Sequence, residues 1–344
     1  MFKQVEQKFQ KYRLFFFLLL LFNSCAFQKE IEPVKLSGQA QGTYYSISYF
    51  DAGNRDFQIE IDSILTAFDH SVSLWVPNSV LSRVNRNDSS VKIDLYFKLN
   101  FKLAKQVSEA TNGAFDFTVA PLVKAWGFGF DESKRVDSSI IDSLLPLVDY
   151  RNVSIKNGQV IKLDHRITFD FNAIAQGFSV DVIGAWLENK GIENYLVDIG
   201  GEVKAKGNKP DGSLWKVGIE KPTQNKDDAR DLKAVVELNN NSIATSGNYR
   251  KFYEENGIRY SHTIDPHTGY PVQHSLLSVS VLTDNTGLAD AYATAFMVWG
   301  FEKSKEFVES TPELEAFFIY SDKIGDYQTY ATKGFQEVIT KEFE

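Results

Sequence analysis

The stretch 286–300, TGLADAYATAFMVWG, anchors the reading of the chain. It is rich in good helix formers, has no proline and ends in glycine, so it predicts a helix over 286–299 stopped by Gly300. Leu288, Ala289, Ala291, Ala293, Ala295, Phe296, Met297 and Val298 make that helix apolar nearly all round, which predicts burial. Asp290 and Thr294 are four apart and project from one face. A buried carboxylate needs a partner or a metal. A carboxylate and a hydroxyl are both oxygen donors and suit a hard cation such as Mg²⁺. The alternative is a polar stripe on a solvated helix.

Strands flank this helix in sequence, at 277–282 before it and 315–320 after a further helix over 301–310. Further upstream, 43–50 (TYYSISYF) alternates as a strand. Phe57, Ile61, Ile64, Leu65 and Phe68 recur at helical spacing over 56–69. A second amphipathic helix covers 95–111 and closes at Asn112-Gly113, and a third covers 178–190. Short strands are expected at 195–199, 217–219 and 234–238. The stretch 206–230 is the most loop-like and marks a candidate boundary between two lobes. Helices and strands mix without a βαβ beat, which predicts an α+β fold with mostly antiparallel or mixed sheets.

The chain has 344 residues, 43% apolar and 24% charged, with a formal net charge of -8. This excludes a disordered or polytopic membrane protein and disfavours nucleic acid as a partner. The single cysteine excludes an internal disulfide and any Cys-cluster metal site. That cysteine is Cys25. It follows a basic segment (Lys3, Lys8, Lys11, Arg13) and nine apolar residues, Leu14 to Phe22. A membrane-spanning helix needs about 20 apolar residues, so the run reads as an export signal. A small residue, Ser24, precedes Cys25, as in a bacterial lipobox whose cysteine is lipidated. The expected organisation is a signal peptide over 1–24, a tether over 25–35 and a folded region of two lobes over 36–344. Removing 1–24 takes away a net +3 and leaves a mature chain of net charge -11.

Four more segments carry chemistry. Asp170 to Gly177 (DFNAIAQG) leaves a β-like run, 167–169, and enters a helix. Such a turn presents N–H groups to anions, or is simply a capped turn. Gly200-Gly201 allows close approach of a backbone or ligand, or forms a plain turn. Ala244 to Tyr249 and His262 to Gly269 place hydroxyls and histidines near turns. Ser246, His262 and Asp265 compose a triad on paper, but no nucleophile elbow surrounds the serine. Gly113 to Phe128 sets Asp116 between two phenylalanines. With Trp75 it offers either a sandwich for a planar ring or core packing.

The ordered set resembles the FAD:protein FMN transferases, the ApbE family. The matching segments are Gly42-Thr43, Ser73 to Trp75 with Ser79 to Asn85, and Gly113 to Thr118. Asp170 to Gly177 with Asp181, Gly200-Gly201, Ala244 to Gly247, His262 to Gly269 and Ala289 to Thr294 complete it. The resemblance implies two α+β lobes with FAD in the cleft between them. It implies Mg²⁺ held by Asp290, Thr294 and the Ala173 carbonyl. It implies an FAD site lined by Trp75, Ala114, Phe115, Asp116, Asp170 and Gln176. His262 is the candidate base. The implied reaction moves FMN to a Ser or Thr of an acceptor protein, such as a membrane redox subunit, and releases AMP. Alternatives on the same site are a Mg²⁺-dependent FAD pyrophosphatase and a flavin-binding lipoprotein without turnover. The family is commonly exported and lipid-anchored, which implies a periplasmic, membrane-attached protein modified at Cys25. This chain departs from the pattern at Gln41, where Met is common, and at Gln176, where Lys is common. Glu202 keeps the acidic character that follows the paired glycines.

Overall fold

The computed structural model describes residues 32–128, 136–223, 231–248, 252–255, 258–261, 263–322 and 324–343. Pro33–Glu344 forms one compact unit. Its strands are β1 Val34–Ala40, β2 Thr43–Tyr49, β3 Val153–Lys156, β4 Gln159–Lys162, β5 Tyr195–Ile199, β6 Glu202–Lys206, β7 Trp215–Glu220 and β8 Leu232–Leu238. They continue as β9 Ser242–Gly247, β10 Phe252–Glu255, β11 Ile258–Ser261, β12 Leu276–Thr283, β13 Glu315–Ser321, β14 Tyr327–Ala331 and β15 Ile339–Glu342. The helices are α1 Gln58–Val72, α2 Val80–Asn85, α3 Leu95–Ala110, α4 Ala120–Ala125, α5 Ser138–Leu144, α6 Ala175–Asn189, α7 Thr286–Trp299, α8 Phe301–Glu309 and α9 Lys333–Val338.

Eight strands form the main sheet in the order β1-β2-β5-β6-β9-β12-β13-β14, and a smaller sheet runs β15-β8-β7. The ladders within both sheets are antiparallel. The period of two along each strand sends alternate residues to opposite layers. Tyr195, Val197 and Ile199 of β5 pack under α1 and α6, against Leu65, Val180, Ile183 and Leu187. Val279 and Val281 of β12 pack under α7. On the other face Val203, Ala205, Ile243 and Phe317 meet Trp215, Ile219 and Val236 of the small sheet. The result is helices, main sheet and small sheet in three layers.

The anchoring stretch forms the expected helix, 286–299. The Asn285 side chain accepts the Leu288 N–H at 2.8 Å, and Gly300 ends it. Helix α3 begins on Asp94, whose carboxylate accepts the Phe97 N–H.

Four local expectations change. Val34 and Lys35, assigned by sequence to the tether, already pair with Tyr49 and Ser48. The loop-like stretch 206–230 contains β7. Helix α6 starts at Ala175 rather than 178. Ile167 to Phe169 joins no ladder. Instead the Phe169 N–H donates to Asn85 Oδ1 at 2.8 Å and Asn85 Nδ2 donates to the Phe169 carbonyl at 2.9 Å.

Candidate active site

The main sheet splits locally between β6 and β9. Strand β9 pairs with β12 from Ser242 to Gly247 but with β6 only at Ile243↔Val203 and Ser242↔Lys204. Beyond those pairs the strands diverge. A cleft of about 1240 Å³ opens there, lined by Gly200, Gly201 and Glu202 on one side and Thr245, Ser246 and Gly247 on the other. Trp75, Ala114, Phe115, Asp116, Asp170, Ala173, Gln176, Asp290 and Thr294 all line this same cleft. Nine residues scattered over 220 positions thus converge on one cavity. Cys25 and His262 lie outside the described residues.

Asp290 reaches the cleft because α7 crosses the start of α6 closely. Gly177 permits that crossing: a Cβ there would sit 2.4 Å from the Thr286 carbonyl oxygen and 2.8 Å from Asp290 Cβ. The Gly177 N–H, in the first turn of α6, donates to Asp290 Oδ2 at 3.1 Å. Asp290 is 7% exposed. Burial pushes its carboxyl up to about 7, and the Gly177 N–H offsets this only in part. One turn later Thr294 Oγ1 lies 3.4 Å from Ser246 Oγ of β9. Ala173 precedes α6 in the turn 172–174 and lines the same cleft.

Asp181, part of the quoted pattern but given no role by sequence, fastens the two helices. Its carboxylate accepts the N–H groups of Thr286 and Gly287 at 3.1 and 2.9 Å, and Lys204 Nζ at 3.0 Å. It therefore satisfies the otherwise unpaired N–H groups that open α7, where negative charge is favoured. A signal for it existed in the spacing of an acid one turn into a helix beside a Lys on a strand, but pairing across 105 residues is invisible locally.

The other carboxylates are held differently. Asp116 Oδ1 accepts the Thr118 N–H and hydroxyl at 2.8 and 2.6 Å, and Oδ2 accepts the Tyr150 N–H at 2.9 Å. Burial pushes Asp116 up, against those bonds. Asp170 is fixed by its own N–H donating to the Phe117 carbonyl and by its Oδ1 accepting the Asn172 N–H. Surrounding protein pushes its carboxyl up as well. Phe117 itself is core, packed edge-on against Phe101 and Phe169. Asp198, which sequence did not single out, is a further cleft carboxylate raised by burial.

Gln176 does more than line the cavity. Its Nε2 donates to the Ile199 carbonyl at 2.9 Å, tying α6 to the turn between β5 and β6. Gly200 has φ +64, and a Cβ there would lie 1.8 Å from Gln176 Nε2, so Gly200 admits this side chain. Trp75 is 58% exposed at the rim and offers a ring face. The paper triad does not assemble from its described members. Ser246 faces Thr294, while Asp265 accepts the His267 N–H at 2.9 Å.

Comparison with known proteins gives one consistent answer. The model of the ApbE family matches residues 41–318. An FAD:protein FMN transferase of Vibrio cholerae is 35% identical over 331 residues, covering 94% of this chain and 97% of that one. The transferase of Haemophilus influenzae is 36% identical, covering 83% and 86%. Among solved structures, the flavin transferase ApbE of Vibrio cholerae superposes with a TM-score of 0.80 at 34% identity, over 89% of this chain and 99% of that one. The apo flavinyl transferase ApbE of Pseudomonas stutzeri gives 0.81 at 32% identity, over 91% and 98%.

Proposed function

Because the chain belongs to the ApbE family, we propose that its cleft transfers FMN from FAD to a hydroxyl of an acceptor protein. The Ser or Thr oxygen of the acceptor attacks the phosphorus on the FMN side of the diphosphate. The bond to the bridging oxygen breaks, AMP leaves, and a phosphoester joins FMN to the acceptor. One observation carries this reading: the buried carboxylate of Asp290, held by the Gly177 N–H in the first turn of α6, lines one cleft with Thr294 and Ala173.

That corner fits a hard cation. Among the described residues Asp290 accepts one hydrogen bond and no cationic side chain offsets its burial. No group of three or more His, Cys, Asp or Glu side chains converges among the described residues. Asp290, Thr294 and the Ala173 carbonyl would therefore hold Mg²⁺ together with oxygens of the substrate diphosphate and water, a common arrangement for this ion. Bound there, it would neutralise the diphosphate and favour departure of the leaving phosphate.

The protein's own groups supply the rest. The opening turn of α6 already gives its Gly177 N–H to the Asp290 carboxylate, which fixes that carboxylate at the cleft. Trp75 offers a face for a flat ring. His262 takes the proton of the attacking hydroxyl, and His262→Ala should slow transfer by roughly 10²–10⁴-fold. The basic segment, apolar run and Cys25 support export and lipid anchoring at the membrane. A mature N-terminus at Cys25 carrying acyl chains, read by mass spectrometry, tests that part.

The test of the function is incubation with FAD, Mg²⁺ and candidate acceptors, followed by a denaturing gel. A fluorescent acceptor band with stoichiometric AMP is expected. AMP and free FMN without labelled acceptor would instead identify a pyrophosphatase. Bound, unaltered FAD would identify a flavin carrier.

A further inference from the structure

Strand β7 is an edge. Among the described residues it pairs with β8 alone, and its other side carries no partner strand. Lys216, Val217, Gly218, Ile219 and Glu220 all line the cleft. Side chains of a strand alternate between faces, so a cavity lying on one face would touch every second residue. An unbroken run means that the cavity borders the edge itself, where outward N–H and C=O groups point. Such an edge is a template for an extended segment of another chain.

The strand is built to present that edge rigidly. Trp215 and Ile219 are buried against the main sheet. Gly218, on the opposite face, makes room for the Leu232 side chain of β8, whose Cδ2 would lie 2.6 Å from a Cβ there, so the two strands lock together. Resting on the transfer reading above, the acceptor's hydroxyl must be carried into this cavity on its own backbone. We propose that the open edge of β7, Lys216 to Ile219, receives the Ser/Thr-bearing segment of the acceptor protein as an added strand. Main-chain hydrogen bonds then supply affinity, and alternate side chains of the segment supply specificity.

The test uses an acceptor that the wild-type enzyme flavinylates. Successive N–H groups of a strand point to opposite edges, so of Val217 and Gly218 one donates toward β8 and the other toward the open side. Val217→Pro and Gly218→Pro therefore separate the two. One disturbs the small sheet, whereas the other removes only a donor to the incoming strand. The variant that keeps the wild-type melting temperature should raise the acceptor KM about tenfold, with FAD affinity and kcat little changed. In parallel, wild-type enzyme is given acceptor peptides N-methylated at one amide at a time. The KM penalty should alternate with a period of two along the peptide. A KM that no N-methylation raises, or one that rises without alternation, overturns the added strand even while transfer proceeds. Absence of transfer by wild-type enzyme to every acceptor would instead strike the functional reading on which it rests.

Discussion

Asp116 and Asp290 border one cleft, and both are pushed up by burial, yet their surroundings differ. Asp116 sits in a turn that gives it three donors, from Thr118 and Tyr150. Asp290 sits on a helix whose own N–H groups are spent on the helix, and it receives one donor, from Gly177. A buried carboxylate is costly unless its oxygens are satisfied. Asp116 returns that cost locally by holding the 116–118 turn to Tyr150. Asp290 does not, and the cation proposed above would supply the missing partner.

The contrast breaks most visibly on Asp290→Ala. Transfer should fall by about 10³-fold while the far-ultraviolet circular dichroism is retained, since alanine suits a helix. Wild-type rates would end the distinction. Asp116→Ala should instead unfold more easily, by roughly 2–4 kcal/mol in urea titration, because it strands buried donors. Gly177→Ala tests the crossing that brings Asp290 to α6. Its Cβ would meet the Thr286 carbonyl oxygen, and overpacking should cost about 2 kcal/mol and weaken cation affinity.

The smallest effect is a pH dependence. With its carboxyl raised to about 7 from an ordinary value near 3.9, Asp290 binds more proton in the folded than in the unfolded protein between those limits. Its contribution to stability is full below about pH 4 and lost as pH rises through about 7. Asp290→Asn should therefore melt higher than wild type at pH 8 in the absence of metal, by about 1–2 kcal/mol. The gap should close near pH 5. A gap that widens toward acid would show that the carboxylate is already satisfied.

Much of this was legible in sequence. Helix 286–299 announced itself through its apolar circumference and its Gly300 stop. That same circumference made the burial of Asp290 readable. Asp116 looked equally poised, because spacing does not reveal that Tyr150 would supply a donor from 34 residues away. Strand β1 was hidden because only Leu36 of VKLSGQA is fully buried, as suits an edge strand, and its polar residues resemble a tether. The start of α6 was obscured by Gly177, which reads as a breaker but serves the contact with α7. The parting of β6 from β9, which creates the cleft, leaves no local trace at all. It depends on strands 40 residues apart diverging after two paired positions.

The account stands most directly on where a cation binds. Crystals soaked with FAD and Mn²⁺ should show an anomalous peak about 2.1 Å from an Asp290 carboxylate oxygen, shared with the Thr294 hydroxyl and the Ala173 carbonyl. A peak at Asp116, Asp170 or Asp198 instead, or FAD bound with no metal beside Asp290, would contradict it.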